Sequence, residues 1–229
     1  MSAYPLATVP TMDEIRGDVV AACHRLAREG LVVGTAGNVS VRRDDLVALT
    51  ATGVVLAEAT VDDVTVVDLA GEIVAGGLRP TSEAGLHLSV HRKFGDGAVV
   101  HTHAPASTAL ACVLDELPVI HYQLLSLGGA VQVIEFHPFG TPELADAVSE
   151  AMVHKNAVLM ANHGAVTRGA TLAEAMDRTF LLEWACDLYA RASALGTPKT
   201  LTQQQQQAVI EVALTLQYGK PQPVNGDNP

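Results

Sequence analysis

The chain has 229 residues, 48% of them hydrophobic, and a formal net charge of −11 from 14 Lys and Arg against 25 Asp and Glu. That is enough chain to bury one sizeable core, and the acidic balance argues against a nucleic-acid surface, which needs clustered cations to displace counterions. No apolar run approaches the roughly 18 residues of a membrane helix, and the opening MSAYPLATVP lacks a basic start and an apolar signal core, so a cytoplasmic protein with no membrane partner is expected.

Cys23, Cys112 and Cys186 are odd in number, widely spaced and in no CxxC pair, so they read as small buried hydrophobes in a reducing compartment rather than as disulfides or thiolate ligands. Thr11 and Glu14 match a capping box, and Ile15, Val19, Ala22 and Leu26 follow at helical spacing, predicting a helix over 12–29 that Gly30 stops. The Gly-rich turn GTAGN at 34–38 leads into β-branched stretches near 39–42, 46–49 and 64–68 that read as strands. A second helix is predicted from Ser82, as N-cap, to about Gly95, with Glu83, His87 and His91 on one face.

Further along, 98–102, 130–136 and 157–161 are strand-like, whereas 141–153, 171–194 and 202–216 carry helical patterns. Five consecutive Gln at 203–207 fall inside the last of these, where Gln is a fair helix former. Strands and helices alternate without a repeat or a mid-chain linker. The expectation is one α/β domain over 1–220, a central, largely antiparallel or mixed sheet covered by helices on both faces, followed by a disordered tail at 221–229.

Chemistry enters at His101 and His103, two apart at a strand end, so that both rings point to one side and can chelate one ion. His163 follows an apolar strand and precedes a Gly, a place where a side chain can protrude into a site. Three His with an open position describe a catalytic metal site better than a closed structural one. Glu83, His87 and His91 form a rival set on a helix, which spacing alone does not exclude, while His24, His121, His137 and His154 read as ordinary hydrogen-bonded residues. Gly34, Asn38, Thr52, Gly53, Thr81 and Ser82 supply hydroxyl, amide and close-approach backbone groups suited to an anion at a helix N-terminus, although each alone is also an ordinary turn or cap.

Taken together, GTAGNVSVR at 34–42, Thr-Gly at 52–53, PTSE at 80–83, VVHTHA at 99–104, IHY at 120–122, Phe-Gly-Thr at 139–141, NHG at 162–164 and Tyr-Gly at 218–219 resemble the class II, metal-dependent aldolase and adducin-head family over nearly the whole chain. The resemblance implies one Zn2+ per subunit, or another divalent ion such as Mn2+ or Co2+, on His101, His103 and His163, with Glu83 as fourth ligand or catalytic base. It also implies phosphate contacts at Asn38, Thr52, Gly53, Thr81 and Ser82, with Thr81 standing where the family pattern has a serine. Tyr122 falls at the place of a proton-donating tyrosine, Tyr218 where a C-terminal tyrosine closes the site, and Phe139 where an aromatic shapes the aldehyde pocket.

Such proteins are commonly homotetramers with sites between subunits, so these last three residues are candidates for contribution from a neighbour. The implied reaction is reversible cleavage of a ketose 1-phosphate, with L-fuculose 1-phosphate the expected sugar, to dihydroxyacetone phosphate and an aldehyde such as L-lactaldehyde. The alternatives are a family decarboxylase or dehydratase, a pentulose-phosphate 4-epimerase, which would carry an acidic residue where Tyr122 falls, or a non-enzymatic adducin-like module, which loses the metal histidines.

Overall fold

The computed structural model of the protein describes residues 10–217 and residue 219. The first helix, α1 (Met12–Arg28), is entered through the expected capping box: Thr11 Oγ1 accepts from Glu14 N, and Glu14 Oε2 accepts from Thr11 N. Its stripe of Ile15, Val19, Ala22, Cys23 and Leu26 is buried, each full-sized aliphatic contributing about 1.5–3 kcal/mol. The strands β1 (Asn38–Arg43) and β2 (Leu46–Thr50) form a hairpin in which Asp44 takes a left-handed φ of 53°, and β3 (Val64–Asp68) and β4 (Ile73–Ala75) extend it. Next come α2 (Ala84–Phe94), the fully buried β5 (Gly97–Thr102), α3 (Pro105–Ala111) and β6 (Glu116–Leu117). The chain continues with β7 (Val131–Ile134), α4 (Pro142–Ala151), β8 (Ala157–Met160), β9 (Gly164–Gly169), α5 (Leu172–Leu195) and α6 (Gln203–Thr215).

Among the described residues one mixed sheet of nine strands, in the order β4-β3-β2-β1-β5-β9-β8-β7-β6, runs through the centre, and only β7 and β8 pair in parallel. Alternation along the strands divides the core between two faces. Val39, Ala48, Ala98 and Val100 pack beneath α1 and the start of α5, while Val99, Val158, Met160 and Val166 pack against α2 and α4. Helices therefore cover both faces, as expected for this α/β domain.

Four elements differ from the sequence reading. β9, a central strand, was not expected, because GAVTRG has glycines at both ends and Arg168 within it; its two neighbours, β5 and β8, supply the pairing that its own composition does not advertise. The short α3, β4 and β6 were also absent from the reading, their few residues carrying too little periodicity. Cys23 and Cys186 are buried as expected, but Cys112 is exposed, since it follows the last turn of α3 at the surface. No helix of the described residues is long and apolar enough to cross a membrane. The Gln run does lie in α6, which is capped by Thr202 and Gln205, whereas the tail at 221–229 lies outside the described residues.

Candidate active site

The antiparallel register of β1 on β5 sets Asn38 opposite His101, so the two side chains share the face covered by α2. His101 is fully buried, and its Nδ1–H donates to Ala165 O of β9 at 3.0 Å. That bond places the ring's free lone pair on Nε2, aimed at the site. His103, just past the end of β5, brings its Nε2 to 3.0 Å from His101 Nε2. His163 closes the group, with ring centroids 4.9 Å from both His101 and His103.

The turn that delivers His163 divides its work between two neighbours. Asn162, not the glycine, takes the left-handed backbone, with φ of 55°. Gly164 is required by close approach, since a Cβ there would lie 2.3 Å from Thr102 O and 3.1 Å from His103 Cδ2. A side chain at this position would therefore push β9 off the end of β5, at the point where the two other histidines are held.

Glu83 is the fourth member. It occupies the N-cap position of α2, one residue later than expected, but does not cap the helix with its side chain. Instead Thr81 Oγ1 accepts from Glu83 N at 3.3 Å, which frees the carboxylate to turn toward the histidines. Glu83 Oε2 lies 3.1 Å from His101 Nε2, and Oε1 lies 3.3 Å from His163 Nε2. Burial by itself would raise the Glu83 carboxyl, but the adjacent His101, then the Asn38 amide and His163, outweigh it and hold the group well below the usual carboxylate range. Burial first, and then the neighbouring imidazoles, push His103 down to about 4 and lower His163 as well.

His101, His103 and His163 offer three nitrogen ligand atoms within 4.8 Å of one another. Two nitrogens about 2.0–2.1 Å from one tetrahedral ion would stand roughly 3.4 Å apart, close to the 3.0 Å seen between His101 and His103. Those Nε2 atoms cannot both present lone pairs at that separation without a cation or proton between them, and Glu83 Oε1 is buried with no hydrogen-bond donor. The donor set thus fits a divalent ion. The rival histidines are committed elsewhere: His87 and His91 both bond Ser40 Oγ, at 2.7 and 2.8 Å.

Glu83, His103 and His163 line a cavity of about 530 Å³. Thr52, Gly53, Thr81 and Ser82 line it, together with the buried Asn38, and so does Phe139 of the same chain. Gly34 is exposed and does not line it, although its neighbours Thr35, Ala36 and Gly37 do. Phe136, His137, Pro138 and Asn162 also face the cavity and were missed by sequence reasoning, although adjacency to Phe139 and His163 was the available signal. Asn38 is nearly closed to it: its Nδ2 donates to Thr81 Oγ1 at 3.1 Å and to Glu83 Oε2 at 3.0 Å. Tyr122 is not brought to this cavity. It stands at a 3-10 turn with its ring 4.5 Å from that of His121, lining a separate apolar groove against α6. Tyr218 lies outside the described residues.

A family model, Class II Aldolase and Adducin N-terminal domain, matches residues 17–190. A 5-deoxy-D-ribulose 1-phosphate aldolase of Bacillus thuringiensis serovar kurstaki is 35% identical over 81% of this chain and 89% of its own length. A 5-methylthioribulose-1-phosphate/5-deoxyribulose-1-phosphate aldolase of Rhodospirillum rubrum is 34% identical over 86% of the chain and 90% of its own. A solved L-fuculose 1-phosphate aldolase superposes with a TM-score of 0.82 at 31% identity, covering 87% of this chain and 95% of the other. With a site that fits a divalent ion on three histidines and a match spanning most of its length, the chain belongs to the class II aldolase and adducin N-terminal domain family and is a class II aldolase.

Proposed function

We propose that the chain is a Zn2+-dependent aldolase that reversibly cleaves a ketose 1-phosphate with a terminal methyl group to dihydroxyacetone phosphate and a short aldehyde. The observation that carries this reading is the placement of Glu83 against His101 and His163 beside a cavity also lined by Thr52, Thr81 and Ser82. His101, His103 and His163 would hold a divalent ion, which would supply Lewis-acid stabilisation of negative charge on the substrate oxygens when the C3–C4 bond breaks. Glu83, kept as a carboxylate, moves the proton at C3. The hydroxyls of Thr52, Thr81 and Ser82, with the Gly53 backbone, hold the phosphate, which anchors C1 while C4 departs.

Part of the cavity lining is apolar. Phe136 and Phe139, 60% and 69% exposed, stand with Pro138 at the cavity, a lining suited to the methyl end of an aldehyde. L-Fuculose 1-phosphate meets that condition and releases L-lactaldehyde. The names of the two relatives favour a second sugar, 5-deoxyribulose 1-phosphate, which meets it equally and releases acetaldehyde. We further propose that the catalytic unit, residues 1–220, works in the cytoplasm as a homotetramer in which a neighbour's Tyr122 and Tyr218 complete the site. Three free thiols suit a reducing compartment. The placement of Tyr122 away from its own chain's cavity supports its use by a neighbour.

The test is metal analysis followed by a panel of phosphorylated ketoses scored for dihydroxyacetone phosphate release. Metal-dependent release from either methyl-ended sugar supports the reading. Epimerised product without release would replace it with the epimerase alternative.

A further inference from the structure

Two histidines of α2, His87 and His91, are 0% and 2% exposed and play no part in the chemistry above. Full burial of an imidazole is unfavourable unless its polar atoms find partners. Here they form one connected line with Ser40 and Asn38 that ends on the Glu83 carboxylate.

Donor and acceptor rules assign the protons along this line. A carboxylate only accepts, so Asn38 must present Nδ2 to Glu83, as its 3.0 Å contact with Oε2 shows, and its other amide hydrogen goes to Thr81 Oγ1. Asn38 Oδ1 therefore faces His87 Nε2, which must carry a hydrogen and donate it. His87 Nδ1 is then left to accept from the Ser40 hydroxyl, 2.7 Å away. Ser40 Oγ, having given its only hydrogen, accepts from His91 Nε2–H at 2.8 Å. Asn38, His87 and Ser40 are each satisfied in this arrangement, and the donors along the line point toward the carboxylate.

We infer that His87, backed by Ser40 and His91, is a positioning residue for the aldolase reaction: its Nε2–H locks the Asn38 amide, and the locked amide fixes the Glu83 carboxylate for proton transfer at C3. The inference rests on the reading of Glu83 as the base. It gives Asn38 a different duty from a phosphate contact, since both of its amide hydrogens are spent inside the protein. A carboxylate held by this amide cannot rotate away from the histidines without breaking a buried hydrogen bond.

The experiment has two arms on the metal-loaded protein. Long-range proton–nitrogen correlation of the imidazoles at neutral pH should show both His87 and His91 as Nε2–H tautomers; a His87 carrying its proton only on Nδ1 overturns the inference, whatever the enzyme's activity. In the kinetic arm, His87→Leu should lower kcat for ketose 1-phosphate cleavage about 10–100-fold, the usual cost of losing an orienting partner, with KM within about twofold and metal content unchanged. His87→Gln, which keeps an amide N–H near the Nε2 position, should recover most of that loss.

Equal loss in the Leu and Gln variants, or a raised KM at unchanged kcat, overturns the positioning role, the second result returning Asn38 to the phosphate. If His87→Leu does not fold, Ser40→Ala decides: it should cut kcat several-fold and let His87 populate both tautomers, and no change in either overturns the inference. A wild-type enzyme inactive on every ketose phosphate would remove the aldolase substrate assignment, while the tautomer arm still judges the line of hydrogen bonds.

Discussion

The carboxylate of Glu83 meets the imidazole of His163 at 3.3 Å, although the two residues come from the start of α2 and from the turn between β8 and β9. This contact ties the α2 face of the sheet to the turn beside β5, and replacing either partner should have distinct effects.

His163→Ala should strip the metal and reduce activity to background while far-UV circular dichroism stays native, because the ring is partly exposed and little packing is lost. Stoichiometric metal in that variant would remove His163 from the ligand set.

Glu83→Gln should keep the metal and abolish exchange of the dihydroxyacetone phosphate C3 proton with solvent. Tyr122→Phe should do the reverse, sparing exchange while cleavage falls by about 10²–10⁴, the range for a positioned acid or base. If Tyr122 serves a neighbouring copy, tetramers reassembled from a mixture of the two variants regain activity that neither has alone. Hybrids no more active than their parents would show that each site is completed within its own chain or that Tyr122 has no part in it.

Ser82→Ala should raise KM for a phosphorylated ketose far more than it lowers stability, since Ser82 lines the cavity and Thr81, rather than Ser82, bonds the Glu83 N–H at the start of α2. A variant with unchanged KM would show that Ser82 does not hold the phosphate.

Much of this site was legible in the sequence because its parts are short and local. His101-x-His103 needs only the two-residue period of a strand, and the NHG turn needs only an apolar strand before it. What could not be read was whatever depends on pairing. Ala165 O, which sets the tautomer of His101, belongs to β9, a strand made by its neighbours rather than by its own residues. The 136–139 wall depends on how a loop folds back, Gly140 lying close enough to Ser82 O that a Cβ would come within 2.8 Å. His87 and His91 have a spacing that suits ligands, and only the register of β1 beneath α2 shows them occupied with Ser40.

The same two histidines make stability depend on pH. Burial, then the nearby positive groups, push His87 down to about 3 and His91 to about 4. The unfolded chain takes up these protons near pH 6.5, whereas the folded chain refuses them until much lower pH, so their stabilising effect is present above about 6.5 and is lost as pH falls toward 4. The slope is about 1.4 kcal/mol per pH unit for each histidine, and the lowered His103 and His163 add to it in metal-free protein. Urea midpoints of metal-free protein should therefore drop steeply between pH 6.5 and 5, and less steeply in His91→Gln. A flat profile over that interval would show that the imidazoles are not buried neutral.

The division of the cavity between strand ends and an exposed loop has a consequence for how such an enzyme diversifies. His101 and Asn38 sit on paired central strands and Glu83 at the head of a packed helix, where most substitutions disturb the core. Phe136, Pro138 and Phe139 lie between β7 and α4, exposed, with side chains that support no other part of the protein's core. Changes in that loop can reshape the cavity at little cost to the fold. Swapping the 136–139 segment between relatives is therefore the shortest route to altering substrate choice by design.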